Sequence, residues 1–154
     1  MSIDKSVMTD EQRKSVALEY LSSFDRGGVT SDGGSIVDLF DDRATVMFPK
    51  WGIANGKEDI TRWITEVGST IQEIVHRTWE FTYIMTGTDT FAIEGTTHGV
   101  HRDGSWAAGE PEWSAGRWCD VFEVRDFKIQ RCFIYLDPDY AGLDTERYPW
   151  IAGS

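Results

Sequence analysis

Apolar residues recur at helical spacing in the first part of the chain and at alternate positions further on; the change falls near residue 74. Ala17, Tyr20, Leu21 and Phe24 form one apolar stripe behind Thr9 and Gln12. That pair reads as a capping box, in which the Thr oxygen meets free backbone N–H groups and the Gln reaches back. The helix is expected to end in Asp25-Arg26-Gly27-Gly28, followed by a Gly-rich loop. Ser35 opens a short helix over residues 36–40, closed by Asp41-Asp42, and residues 44–48 form a strand stopped by Pro49. Asn55 and Glu58 frame the next helix start, and Ile60, Trp63, Ile64 and Val67 give an i, i+3, i+4, i+7 stripe. Beyond residue 74, Val75, Trp79, Phe81, Tyr83 and Met85 alternate in one long strand. Gly87-Thr88-Asp89 is a turn, 91–100 a strand, 102–112 a loop, and 113–124 and 128–136 the last strands, joined by Arg125-Asp126. The tail from Asp137, with Tyr148-Pro149-Trp150, reads as a docked extension.

Helices first and then a meander of four strands predict an α+β fold, helices packed on one face of a curved antiparallel sheet. A sheet of that shape capped by helices leaves a cavity at its mouth. At 154 residues the chain makes one domain, 1–154, with a core over about 10–137 and an extension over 138–154. The aromatic content of 13%, with seven Trp, suits a cavity lined with rings.

A formal net charge of −11 argues against nucleic acid and anionic membrane surfaces as partners. Cys119 and Cys132 form no C-x-x-C, and the three His show no ligand spacing, so neither metal nor cofactor is expected. No apolar leader and no membrane-length run is present, which makes the cytoplasm the expected location.

Few residues can carry chemistry. Asp25 stands at a helix C-terminus, where the dipole disfavours a negative charge by about 0.3–1 kcal/mol, so a partner is expected. His76 is the natural one: the carboxylate would hold one ring N–H and fix the tautomer. Otherwise Asp25 is a solvated turn residue and His76 a surface His, and strict alternation places His76 opposite the Val75-Trp79-Phe81 row. A strand start or bulge would be needed to turn it inward. Asp120 lies between Trp118 and Phe122 on one strand face, where an unpaired carboxylate is costly and its pKa should rise; a salt-bridged or outward-facing Asp is the plainer alternative. Tyr20 is either a core Tyr or the neighbour of Asp120 in a donor pair. His98 and His101 are three apart on a strand, so at most one enters a pocket.

The run ALEYLSSFDRGG, then VDLFDDRATVMFP, NGKEDITRW, GTTHG and DVFEVRDFKIQ, resembles the SnoaL-like, nuclear-transport-factor-2-like domains over about residues 10–137. The resemblance implies their cone-shaped fold and a homodimer through the open sheet face. Among enzymes of this fold, scytalone dehydratase-like proteins are similar in pairing an Asp at the end of the first helix with a His opening the first long strand, here Asp25 and His76, with a second His at the step of His101. Ketosteroid isomerase is similar at Tyr20 and Asp120, but the position of its base is Phe48 here. The polyketide cyclases' base position is Ile134. The resemblance therefore implies a lyase or isomerase acting on a hydrophobic cyclic or aromatic oxygenated compound, with catalytic residues Asp25, His76, Asp120 and Tyr20. Its pocket would be lined by Trp118, Phe24, Phe48, Trp51, His98, His101 and Ile134. A non-catalytic binding or assembly module of the same fold is the alternative.

Overall fold

A computed structural model describes residues 7–108, 115–148 and 150. Helix α1 (Asp10–Asp25) opens with the predicted capping box, Thr9 and Gln12 exchanging both bonds. A 3-10 turn (Ile36–Leu39) capped by Ser35 leads into β1 (Phe40–Phe48), so Asp41 and Asp42 belong to the strand rather than to a helix end. Then come β2 (Gly52–Asn55), α2 (Gly56–Gly68), β3 (Ile71–His76), β4 (Thr82–Ile84), β5 (Thr90–His101), β6 (Gly104–Ala107), β7 (Arg117–Arg125) and β8 (Lys128–Leu136). Asn55 caps α2 without its side chain; Asp59 reaches back to the Asn55 N–H at 3.1 Å, the part expected of Glu58. The expected loop at 102–112 contains β6, and Trp113, expected to open β7, lies outside the described residues.

The sheet runs β2-β1-β8-β7-β5-β3, with β4 and β6 also paired to β5. The strands from residue 71 onward pair antiparallel, as predicted, while β1 joins the same sheet parallel to β8. Extra residues in β1, β3 and β8 bend the sheet, and α1 and α2 fill the hollow. Phe91, Ile93, Trp118, Phe122, Val124, Ile129, Cys132 and Ile134 face that hollow and form the core with Ala17, Tyr20, Leu21, Ile60 and Trp63 from the helices. Tyr20 meets Phe24, Phe40 and Phe122 edge-to-face at 5.1–5.7 Å. Each such pair contributes roughly 0.5–1.5 kcal/mol beyond area burial.

The predicted single strand through residues 75–85 is two strands. A 3-10 turn (Thr78–Glu80) interrupts it. Between the pairs His76↔Thr97 and Thr82↔Glu94 the chain advances six residues while its partner advances three. The excess of three is odd, so the alternation reverses. His76 therefore shares the concave face with Phe81 and Tyr83, and Trp79, predicted inside, is 70% exposed in the turn with Arg77 over its ring.

Candidate active site

Asp25 is the last residue of α1, and His76 the last residue of β3. The carboxylate of Asp25 accepts the backbone N–H of His76 at 3.1–3.2 Å, and its Oδ1 lies 2.7 Å from the ring Nδ1. These two bonds offset the helix-end penalty on Asp25. An ionised carboxylate can only accept, so Nδ1–H is the donor in this contact, and Nε2 is left without a role in it. The ring is buried between Trp118 (centroids 5.6 Å apart, edge-on) and Phe24 (6.3 Å). Packing on both sides fixes its orientation.

His76 lines an apolar cavity between the helices and the concave sheet, whose walls include Tyr20, Phe24, Phe48, Trp63, Trp118, Asp120, Ile134 and Tyr140. The cavity is narrow, with a volume of about 50 Å³. Asp120 reaches it from mid-strand β7, in register with Ile93 on one side and Ile134 on the other. Asp120 is 3% exposed, and its Oδ1 has no hydrogen-bond partner among the described residues. Burial without a partner pushes this carboxyl well above the usual carboxylate range. A carboxyl raised in this way keeps its proton to higher pH than a solvated one and, while protonated, can donate. Tyr20, 1% exposed, is also raised, first by burial and then by the charges that its neighbours Cys132 and Asp120 would carry. Burial and Asp120 raise Tyr140 in the same way. The cavity therefore has one imidazole edge on one side and hydroxyl or carboxyl donors on the other.

A family model described as the SnoaL-like domain matches residues 18–132. The chain belongs to the SnoaL-like family. No curated protein matches it. The fold is shared with solved structures of low identity. One is a nuclear-transport-factor-2-like protein from Anabaena variabilis (20% identity, 89% of this chain and 98% of that one, TM-score 0.66). Another is a protein from Silicibacter sp. provisionally named a polyketide cyclase (18% identity, 96% and 98%, TM-score 0.62). A third is TerC co-crystallised with polyporic acid (15% identity, 93% and 99%, TM-score 0.61).

In this SnoaL-like domain, Tyr20, Phe24, Phe48, His76, Trp118, Asp120 and Ile134 meet at one cavity, and Asp25 stands behind His76. Three residues expected to line it do not. Trp51 lies on the outside of α2, donating to Glu66 at 2.6 Å under the Arg62 guanidinium. His98 pairs with Val75, one step out of phase with His76, and so faces the convex side. His101 has the inward phase but lies beyond Tyr140, whose ring stacks on it at 6.1 Å. Sequence reasoning missed Trp63 and Tyr140 as cavity residues. Trp63 sits in the apolar stripe of α2 and was legible there. Tyr140 comes from the extension, which docks through Tyr140 and Ala141 while Tyr148 and Trp150 stay exposed. Nothing in the periodicity distinguished it. Among the described residues no cluster of three or more His, Cys, Asp or Glu is placed to hold a metal ion, and no helix is long and apolar enough to cross a membrane.

Proposed function

We propose that this protein is a cofactor-independent enzyme of the isomerase or lyase type, moving protons on a hydrophobic cyclic or aromatic oxygenated compound. The observation that carries the reading is the pairing, at one apolar cavity, of a His held by a carboxylate with a buried carboxyl whose Oδ1 has no hydrogen-bond partner among the described residues. Nε2 of His76 takes a proton from a carbon next to a carbonyl, and the resulting imidazolium is stabilised by Asp25. The neutral Asp120, seconded by Tyr20, donates to the oxygen on which charge develops. Return of the proton from His76 to a neighbouring carbon completes an isomerisation; its delivery to a departing hydroxyl, released as water, completes a dehydration. The neighbours' names, a polyketide cyclase and a protein crystallised with polyporic acid, support a small organic ligand.

The second reading is a binding or assembly module without turnover, since the same cavity would hold a ligand whether or not His76 acts on it. Native mass spectrometry of gently purified protein would identify a retained ligand. Turnover of that compound by the wild type, lost in His76→Ala with binding kept, supports the enzyme; equal behaviour of the two proteins supports the module. A second copy is expected on the convex sheet face, where Ile53, Ile84 and Tyr135 are each about half exposed.

A further inference from the structure

Two cavity residues have a polar atom that the proposed chemistry does not use. The indole Nε1–H of Trp63 and that of Trp118 are buried and lack any hydrogen-bond partner among the described residues, as does Oδ1 of Asp120. Trp63 is 1% exposed and Trp118 6%. They come from opposite walls: Trp63 from α2, between Phe24 and Phe48, and Trp118 from β7, between His76 and Phe81. An indole N–H can only donate. Buried donors normally have partners, and a donor left without one loses its full hydration. Trp51 in the same chain shows the ordinary solution, donating to Glu66 at the surface.

Neither indole N–H therefore meets an acceptor among the described residues. Among the described residues lining the cavity there is no Lys or Arg, and the group there that can become cationic, His76, is already faced by Asp25. A carboxylate or phosphate ligand would be a buried anion beside Asp120 with no guanidinium or ammonium to meet it, and the net charge of −11 opposes its approach. A ketone, enone or lactone oxygen has two lone pairs and no charge, and suits these donors.

Resting on the proton-transfer reading above, we infer that the substrate is a neutral carbonyl compound whose oxygen, met by Asp120 on one lone pair, accepts on the other from the indole N–H of Trp118 or Trp63, making these two residues determinants of specificity. A site with buried donors discriminates strongly against an analogue that has no acceptor, because binding it leaves the donors unpaired. Trp118 adjoins His76, so an oxygen held there places the neighbouring carbon near the base.

The test uses three probes of similar size: acetophenone, ethylbenzene and benzoate. They are titrated into ¹⁵N-labelled full-length protein, and the indole N–H resonances, assigned with Trp63→Phe and Trp118→Phe, are followed by NMR. Acetophenone is expected to bind at least about tenfold tighter than either other probe, a difference of about 1.4 kcal/mol, and to move both indole resonances. Trp→Phe keeps an aromatic ring and removes the donor, so at least one variant should narrow the margin over ethylbenzene; the remaining indole resonances report whether the variant is folded. Ethylbenzene binding as tightly as acetophenone, tighter binding of benzoate, or no acetophenone binding at millimolar concentration overturns the inference. So does a margin unchanged in both variants. These outcomes are separable from the parent reading, since His76-dependent turnover of a retained ligand would stand even if the indoles proved irrelevant.

Discussion

Replacing Asp120 by Asn tests whether a neutral acid faces the cavity. The native carboxyl is raised above its unfolded value near 3.9 because it is buried, with no hydrogen-bond partner for Oδ1 among the described residues. A raised carboxyl binds its proton more tightly in the native than in the unfolded chain. Its contribution to stability is fully present below pH ~3.9 and is lost as pH rises toward the folded value. Within that window each pH unit costs the wild type about 1.4 kcal/mol relative to a chain with no titrating group at this position. Asn is nearly isosteric and does not titrate. Packing and hydrogen bonding shift its stability by a constant, but not with pH. Urea unfolding of both proteins between pH 4 and 8 should give a stability difference, variant minus wild type, that climbs at close to that slope and levels off above the folded pKa. Every other carboxylate is common to both chains and cancels. Two curves that stay parallel across the range would mean that Asp120 titrates normally, and the donor role would fall with it.

Three further outcomes follow from particular contacts. In Gly95→Ala the new Cβ would stand 2.6–2.7 Å from the Phe81 and Trp118 rings, so a loss of roughly 1–3 kcal/mol in urea unfolding is expected; an unchanged midpoint would contradict that packing. Asp25→Asn should release the Nδ1–H tautomer of His76, seen as a change in the ring ¹⁵N shifts, and unchanged shifts would mean that the 2.7 Å contact does not set the tautomer. Thr9→Ala should cost about 1 kcal/mol by removing the capping box of α1, measured by thermal unfolding.

Helix α1 and strand β8 were legible because each has one clear period and a recognisable start, and α2 by its apolar stripe, whereas the start of β7 at Arg117 was not. The orientation of His76 was not. Alternation placed it outside, and the correction depends on three extra residues looped out as a 3-10 turn, which no period reveals. The same feature accounts for the misplacement of Trp79. Asp120 was legible as a carboxyl in an apolar row, but its lack of a partner depends on Ile93 and Ile134 flanking it, a matter of register between strands far apart in sequence. Tyr140 reaches the cavity from an irregular tail, where neither spacing nor capping chemistry gives direction. The His98 and His101 phases were read correctly as opposed; what barred His101 was Tyr140.

The central claim is that the His76 edge, oriented by Asp25, removes a proton from carbon. Deuterium incorporation next to the carbonyl in a panel of cyclic and aromatic ketones, followed by proton NMR in D₂O, reads that step without knowledge of the physiological product. Exchange accelerated by the wild type, reduced in Asp25→Asn and absent in His76→Ala of intact fold is the predicted result. Exchange at the buffer rate for every ketone, or equal acceleration by wild type and His76→Ala, would contradict it.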